Sequence, residues 1–284
     1  EETSYCMVFE PLALCLRHLM RAADGRRSSG LLMQEIQDIS RQLLRALSFL
    51  HAAGVAHLDL KCTNVMLRDA AYDLVEHPRA PGELVARPRR RPCEAVLIDF
   101  GGAARPHAGA EAVTQGDAGG LQEGRAGARG GARHVRAPEI VLGLDTWDCG
   151  ADLWSLATLL ASLYTGGRLF HVHEDTEHLA AMERICEASI PSEMAAAMAP
   201  RVSAKGVAFD AATGRLVWPG ARTEWDAVGR IKELPPLRSI IGPRHAAFLQ
   251  LMQGLLVLRP AARLTAEEAL RSCDFVAAGG PAEE

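Results

Sequence analysis

The stretch His-Leu-Asp-Leu-Lys-Cys-Thr-Asn at residues 57–64 decides how the rest of the chain is interpreted. It places Asp59 and Asn64 five positions apart, which is a weak signal alone because such pairs arise by chance at average composition. Two more motifs follow, Asp-Phe-Gly at residues 99–101 and Ala-Pro-Glu at residues 137–139. Three motifs in this order and rough spacing are far beyond coincidence, so the flanking segments are interpreted around them.

Hydrophobic periodicity predicts the elements on either side of the first motif. Apolar side chains recur at three- and four-residue steps over residues 31–53, which predicts a helix packed on a core and ended by Gly54. The apolar run at residues 95–98 predicts a buried strand that leads into Asp99. Between them, residues 81–92 are interpreted as a loop.

The second half of the chain is predicted to be helical. Residues 151–164 are apolar nearly all round, which is typical of a helix buried in the middle of a domain. Further helices are expected near residues 176–188, 244–257 and 265–272, the last capped by Thr265. Residues 101–131 are crowded with Gly and Ala and lack periodicity, which favours a long, mobile surface segment.

Composition sets the broad class of the molecule. A chain of 284 residues with 48% hydrophobic residues can bury a real core, and a net charge of −4 gives no sign of a nucleic-acid binder. The arginine-rich run at residues 87–91 is either a solvated loop or a nuclear-localisation signal. Seven cysteines without a C-x-x-C spacing argue against disulfides and zinc, and no apolar run is long enough to span a bilayer. We therefore expect a soluble, intracellular protein.

The three motifs resemble the signature set of eukaryotic protein kinases, and the resemblance covers nearly the whole chain. It implies a protein-kinase-like fold, mainly α (α+β), of which this sequence carries the helical C-terminal lobe while the N-terminal lobe is largely missing. The implied divisions are the last N-lobe strand and hinge at 1–13, the C-terminal lobe at 14–278 with an activation segment at 99–139 and an insert at about 172–240, and a tail at 279–284.

The resemblance also implies the roles of four polar residues. Phosphoryl transfer is catalysed by positioning and by neutralising charge on the transferred group. By resemblance, Asp59 is the catalytic base and Lys61 lies near the transferred phosphoryl group, while Asn64 and Asp99 hold Mg²⁺ against the phosphates of ATP. The alternative, that Asp59 and Asn64 merely cap a turn, is weak beside the other motifs.

The first residues match the strand and hinge that join the two kinase lobes. Residues 5–9 would be the strand, with Phe9 as gatekeeper. By analogy the carbonyl of Glu10 and the amide of Leu12 would contact adenine, and Met66 would form the floor of the pocket. Without the family, this stretch is only an apolar strand.

Three charged residues are expected to stabilise the site by a scaffolding role. By resemblance the motif at residues 57–64 is the catalytic loop, and Asp152 hydrogen-bonds its backbone. Arg263 is expected to pair with Glu139 in a buried ion pair. Buried charges in proteins come paired, which agrees with a scaffolding role for all three.

A subfamily signature lies at residues 177–185, Glu-His-Leu-Ala-Ala-Met-Glu-Arg-Ile. It resembles the E-H-L-A-M-M-E-R-I motif of the LAMMER kinases and differs only at Ala181. Taken alone it predicts an amphipathic helix with Leu179, Met182 and Ile185 turned to the core. The resemblance implies a nuclear, dual-specificity kinase that acts on serine/arginine-rich splicing factors. We accordingly expect a monomer in the nucleus and/or cytoplasm, with protein substrates and without direct contact to nucleic acid or membrane.

Several positions depart from the family pattern. Leu58 replaces Thr, Cys62 and Thr63 replace Pro-Glu, and Ala132 stands where a Thr usually contacts the catalytic Asp and Lys. The Glu lost at Thr63 often helps to bind basic substrates, so the substrate preference is open at this point.

Acidic residues elsewhere are candidates to supply the missing negative charge. Glu174, Asp175 and Glu177 would line the substrate face if they attract arginine, although a charge run of this kind is more often a solvated face.

Two functional hypotheses remain. No glycine-rich loop precedes the hinge, and the lysine and glutamate that orient the ATP phosphates are absent from the sequence, so we expect the isolated chain to be inactive. The alternative to an enzyme is a non-catalytic, kinase-like binding scaffold. Against it stands the intact catalytic set, whose four chemistries a scaffold does not need together.

Overall fold

The computed structural model describes residues 6–21, 30–106, 132–220 and 223–277. Helices dominate this part of the chain, in the order α1 (Leu16–Arg21), α2 (Met33–Ala52), α3 (Pro138–Val141), α4 (Gly150–Thr165), α5 (Asp175–Cys186), α6 (Ser192–Ala196), α7 (Pro200–Ser203), α8 (Trp225–Glu233), α9 (Leu237–Ile240), α10 (Ala246–Leu255) and α11 (Ala266–Ser272). The strands are β1 (Val65–Leu67), β2 (Tyr72–His77), β3 (Ala80–Pro88) and β4 (Ala95–Leu97).

Helix α4 forms the centre of the core. Its residues are apolar on nearly every side, so it can be covered all round, and Trp154 is fully buried and stacks on Phe170 with ring centroids 5.9 Å apart. Helices α2 and α10 pack on α4, and α11 packs on α2. The predicted buried central helix is confirmed.

Helix α2 leads into the catalytic loop. Its apolar stripe, including Ile36, Ile39 and Leu43, is buried, together with the polar residues Glu35 and Gln37. The helix ends at Ala52, just before Gly54, which has a left-handed φ of 69°. The predicted boundaries of this helix are confirmed to within two residues.

Strands β1 and β4 bring two distant motifs side by side. They pair antiparallel with Val65 opposite Leu97, so that β1 follows the catalytic loop directly and β4 leads into Asp99. The predicted strand before Asp99 is therefore confirmed, although it is half-buried rather than buried.

The hairpin of β2 and β3 corrects the sequence interpretation. The loop predicted at residues 81–92 is wrong, because most of this segment is β3, which pairs with β2 with Val75 opposite Val85. Only the second half of β3 packs on the core, so no run of alternating apolar residues reveals the strand. Arg79 in the turn fastens the hairpin, since its guanidinium lies 4.4 Å from the Tyr164 ring centroid and donates to the carbonyl of Leu31.

Other predictions divide between confirmed, wrong and outside the described residues. The predicted α11 has the expected capping box of Thr265 and Glu268. The strand predicted at 5–9 is wrong for residues 6–9, which are exposed and pair with no strand in the described part of the chain. Tyr5, most of the Gly/Ala-rich segment (107–131) and the tail at 279–284 lie outside the described residues. No helix formed by the described residues is long and apolar enough to cross a membrane.

Candidate active site

Asp152 holds the catalytic loop from below. Its fully buried carboxylate accepts hydrogen bonds from the backbone N–H groups of His57 and Leu58, both at 2.8 Å, and lies 2.9 Å from the ring Nε2 of His51. Leu58 has a φ of 62°, a left-handed conformation that costs a non-glycine residue about 1–3 kcal/mol. The two N–H bonds to one carboxylate hold this strained turn in place, as the predicted role of Asp152 requires.

The side chains of Asp59, Lys61 and Asn64 are in mutual contact. The Lys61 ammonium donates to Asp59 Oδ2 at 2.5 Å, and the Asn64 amide donates to the same oxygen at 3.1 Å and to the backbone carbonyl of Asp59 at 2.9 Å. The other carboxylate oxygen, Oδ1, accepts from the backbone N–H of Ala132 at 3.1 Å. Donors therefore surround the Asp59 carboxylate and fix its orientation.

The contact from Ala132 was not predicted from the sequence. Ala132 stands where the family usually has a threonine that contacts the catalytic Asp and Lys. The sequence therefore indicated that this contact is lost. The backbone N–H supplies a hydrogen bond to Asp59 instead. Since a main-chain donor does not depend on side-chain identity, no sequence signal could have revealed it.

Asp99 lies beside this group because of the strand pairing. The N–H of Ile98 donates to the carbonyl of Asn64 at 2.9 Å, which ties the end of β4 to the end of the catalytic loop. Asp99 has a φ of 65°, and its exposed carboxylate accepts from the N–H of Gly101 at 3.3 Å. A left-handed non-glycine residue at this place is the kind of local strain that concentrates at functional sites.

The side-chain oxygen atoms of Asn64 and Asp99 fit a magnesium ion that also binds the phosphates of a nucleotide. Within the described residues, no three His, Cys, Asp or Glu side chains are grouped so as to hold a metal ion by themselves. Magnesium commonly takes only one or two protein carboxylates and completes its shell with phosphate oxygens and water. One carboxylate and one amide oxygen thus suit Mg²⁺ bound together with ATP phosphates, and would not form an all-protein cage.

The end of the predicted hinge docks on β1 through its backbone. The N–H of Ala13 donates to the carbonyl of Leu67 at 2.9 Å, and the N–H of Leu67 donates to the carbonyl of Leu14 at 2.8 Å. The carboxylate of Glu10 forms an ion pair with Arg68 at 2.5 Å, on an exposed part of the surface. The hinge segment is therefore held at its C-terminal end.

The other predicted adenine-contacting residues differ in exposure. Phe9 is 77% exposed, whereas Leu12 and Met66 are half-buried. Met66 lies on β1 opposite Cys15, next to the docked end of the hinge. The contacts of Phe9, Glu10, Leu12 and Met66 with adenine stay predictions.

The acidic residues proposed to attract arginine are engaged within the protein. Glu177 is fully buried and pairs with Arg230 at 2.8 Å. The prediction that it lines the substrate face is therefore wrong, and so is the alternative that it belongs to a solvated face. Asp175 pairs with Arg133 at 2.6 Å, and Glu174 accepts from a threonine hydroxyl. These carboxylates stabilise the start of α5 and its neighbours.

The Arg263–Glu139 ion pair is confirmed. Its two hydrogen bonds measure 2.7 and 3.0 Å, and both side chains are fully buried. The Arg263 guanidinium also donates to the carbonyls of Gly150 and Val257, and it lies 5.4 Å from the Trp154 ring centroid. The pair thereby ties α3 to the central helix α4.

Comparison with known proteins agrees with this geometry. The model of the protein kinase domain matches residues 1–274, so the chain belongs to the protein kinase family. Within that family it is similar to kinases of the LAMMER type. It is 32% identical to the serine/threonine-protein kinase AFC2 of Arabidopsis thaliana, over 94% of this chain and 58% of that protein.

Two further relatives and a solved structure support the same placement. The dual specificity protein kinase CLK2 of Homo sapiens is 30% identical over 84% of this chain and 42% of its own length, and lkh1 of Schizosaccharomyces pombe is 33% identical over 84% of this chain and 31% of its own. The chain thus spans 58% or less of each of these three relatives. The crystal structure of another kinase domain matches with a TM-score of 0.76 and 28% identity, covering 95% of this chain and 72% of that one.

Proposed function

We propose that the protein transfers the γ-phosphoryl group of ATP to serine and threonine hydroxyls of proteins, as a kinase of the LAMMER type that is either serine/threonine-specific or of dual specificity. The observation that carries this proposal is the Asp59 carboxylate, which Lys61, Asn64 and the Ala132 N–H hold in one orientation. A non-catalytic scaffold has no need for a carboxylate oriented in this way.

The side chains divide the work of the reaction between them. Asp59 orients the acceptor hydroxyl and takes its proton while the hydroxyl oxygen bonds to the γ-phosphorus and the bond to the departing ADP breaks. Lys61, at 2.5 Å from Asp59, places a positive charge beside the transferred group. Asn64 and Asp99 would hold the magnesium ion, whose chemistry is to neutralise phosphate charge.

Two matched substitutions test these roles in the protein expressed at the full length that its gene encodes. Asp59→Asn should lower kcat by about 10²–10⁴-fold and leave nucleotide affinity nearly unchanged, because the base acts on the acceptor. Asp99→Asn should instead weaken binding of magnesium-ATP, measured by calorimetry. Equal binding defects in both variants would show that the separate roles are wrong, and absence of phosphoryl transfer by the unsubstituted protein would favour a non-catalytic scaffold.

We further propose that the chain of 284 residues is by itself inactive, with residues 1–13 joining an N-terminal lobe through the hinge and residues 14–278 forming the C-terminal lobe. Its first nine residues contain neither a glycine-rich loop nor a lysine to orient the ATP phosphates. The measurement is phosphate incorporation into a protein substrate by the chain alone and by the chain fused to a relative's N-terminal lobe. Robust transfer by the chain alone would contradict this proposal.

The substrates are proposed to be proteins, and the LAMMER resemblance at residues 177–185 supports serine/arginine-rich splicing factors and a nuclear or cytoplasmic location. Recognition of arginine needs acidic side chains near the acceptor. The three acidic residues considered for this task are engaged in internal contacts. Initial rates on an Arg-Ser repeat peptide and on its arginine-to-alanine counterpart test the proposal, and equal rates would reject it.

A further inference from the structure

A groove of about 640 Å³ opens beside the catalytic loop, between α1 and the C-terminal end of α4. Polar and basic groups make up much of its lining. The lining contains six basic side chains, which are Arg17, Arg21, Lys61, His134, Arg168 and His171. No carboxylate is found among the described residues that line it.

The position of the groove relates it to the acceptor and not to the nucleotide. Lys61 and Thr63 line one end, and the Lys61 ammonium lies 2.5 Å from the Asp59 carboxylate. Neither Asn64 nor Asp99 belongs to the lining. A peptide that presents its hydroxyl to Asp59 can therefore place neighbouring side chains in this groove.

The arginines of the groove carry charge that no acidic side chain of the described residues neutralises. Arg17, Arg21 and Arg168 form no ion pair within the part of the chain that the structure describes. Elsewhere on the surface some exposed arginines are paired, as Arg89 is with Asp73 at 2.8 Å, whereas Arg45 and Arg105 form no ion pair with a described residue. Three guanidinium groups without an ion pair to a described residue, two from α1 and one from the segment after α4, line one groove and give it a positive potential.

His134 lies among the same positive charges. Burial lowers the pKa of His134 to about 4, and the positive charges of Arg168, Lys61 and Arg17 lower it in the same direction, against a smaller opposite effect of Asp59. At neutral pH this imidazole is uncharged, so the positive charge of the groove comes from the arginines and Lys61.

We propose that this groove binds an anionic side chain that flanks the acceptor hydroxyl, either a phosphorylated serine or threonine or a carboxylate. The inference rests on the proposed kinase function and adds one requirement to its protein substrates, an anionic side chain beside the acceptor hydroxyl. Guanidinium groups bind phosphate and carboxylate with paired, charge-assisted hydrogen bonds. Thr63 lines the groove and carries no charge, so no carboxylate repels an anion at this position.

Binding of matched peptides tests the inference without any need for phosphoryl transfer. Four fluorescein-labelled peptides share one serine and differ only in the residues around it, which are alanine, glutamate, phosphoserine or arginine. We expect the phosphoserine peptide to bind the full-length protein about tenfold more tightly than the alanine peptide, with the glutamate peptide between them, and the preference to weaken at high salt. Equal affinities, or the tightest binding by the arginine peptide, would overturn the inference.

Charge reversal in the groove is the second test of the inference. Arg168→Glu, at an exposed position, should abolish or reverse the preference for anionic peptides, and Arg17→Ala should reduce it by about threefold to tenfold. Arg238→Ala is the matched control, because this exposed arginine pairs with Glu187 and does not line the groove. Thermal melting checks the fold of each variant, and Arg168→Glu decides the matter if Arg17→Ala does not fold. An unchanged preference in folded Arg168→Glu would overturn the inference.

The outcomes separate this inference from the proposed function. Anionic preference without phosphoryl transfer would support the groove and contradict the kinase proposal. Phosphoryl transfer at equal rates to all four peptides would support the kinase and overturn the groove.

Discussion

The catalytic loop and the β2–β3 hairpin each rest on a buried carboxylate, and the two carboxylates are treated very differently. Asp152, under the catalytic loop, accepts from two backbone N–H groups and lies within hydrogen-bond distance of His51. Glu35, where α2 meets the hairpin, is 3% exposed, and its oxygens lack a hydrogen-bond partner of normal geometry in the described part of the chain. Its cationic neighbour is Arg87, with Nε at 3.4 Å.

The difference shows which of the two regions is held in place by hydrogen bonds to a buried carboxylate. A buried carboxylate with full hydrogen bonding holds a backbone in one shape, which the catalytic loop needs because it positions Asp59. A buried carboxylate with one long ion pair costs free energy and fixes little. The loop is thus organised for geometry, whereas the hairpin is held by Arg79 and by packing.

The largest effect is expected from Asp152→Ala. The substitution leaves the N–H groups of His57 and Leu58 without an acceptor in the core, at about 1–3 kcal/mol each, so the free energy of unfolding should fall by about 2–6 kcal/mol. Urea unfolding measures it, with Asp69→Ala at an exposed turn as the control. Equal unfolding free energies in the two variants would show that the hydrogen bonds to Asp152 do not stabilise the catalytic loop.

Removal of one partner from the Arg263–Glu139 pair comes next. Arg263→Met leaves the carboxylate of Glu139 buried without its counter-charge, which should cost about 3–5 kcal/mol of unfolding free energy. The double variant Arg263→Met/Glu139→Gln should recover part of this loss, because it buries no unpaired charge. A double variant that loses the sum of both single effects would show that the two residues do not act as a pair.

A smaller, pH-dependent effect is expected at Glu35. Burial raises the pKa of this carboxyl above its ordinary value of 4.5, against a weaker lowering by Arg87. The folded state then binds the proton more tightly than the unfolded state, so this residue's stabilising contribution is present at low pH and is lost as pH rises through the folded pKa. Relative to the wild type, Glu35→Gln should therefore gain stability as pH rises from about 4.5 and then level off. Unfolding curves over this range measure the difference, and Glu76→Gln on the exposed part of the hairpin should show no such trend.

The smallest effect is expected at the hinge. Glu10 and Arg68 pair on the exposed surface, where solvent and salt screen the attraction. Glu10→Ala should leave the melting temperature unchanged within error, at low and at high salt. A clear drop that disappears in high salt would show that this pair anchors the hinge more firmly than the backbone bonds of Ala13 and Leu67.

The grouping of the candidate site residues was predictable from the sequence because it depends on the identity of their side chains. Asp59, Lys61 and Asn64 are brought into contact, and Asp99 lies beside them, as the spacing and the family resemblance indicated. Helices α2 and α4 were predictable for a different reason, since their patterns of buried apolar residues are long and regular.

What the sequence did not reveal depends on partners distant in the chain. The β2–β3 hairpin packs only part of β3 on the core, so its pattern is irregular and was interpreted as a loop. Glu177 was assigned to the surface because its partner, Arg230, lies 53 positions away and nothing local predicts the pairing. The basic groove likewise joins Arg17 and Arg168 from separate elements, with no motif to connect them.

The bond from the Ala132 amide to Asp59 makes a natural spectroscopic probe. Its proton lies between the segment that precedes α3 and the carboxylate of the catalytic loop, at an N···O distance of 3.1 Å. An amide proton that points at a carboxylate resonates downfield, and it shifts when the donor withdraws or the acceptor turns. A single ¹⁵N-labelled alanine at this position would therefore report, without any substitution, when nucleotide or peptide moves the two segments relative to each other.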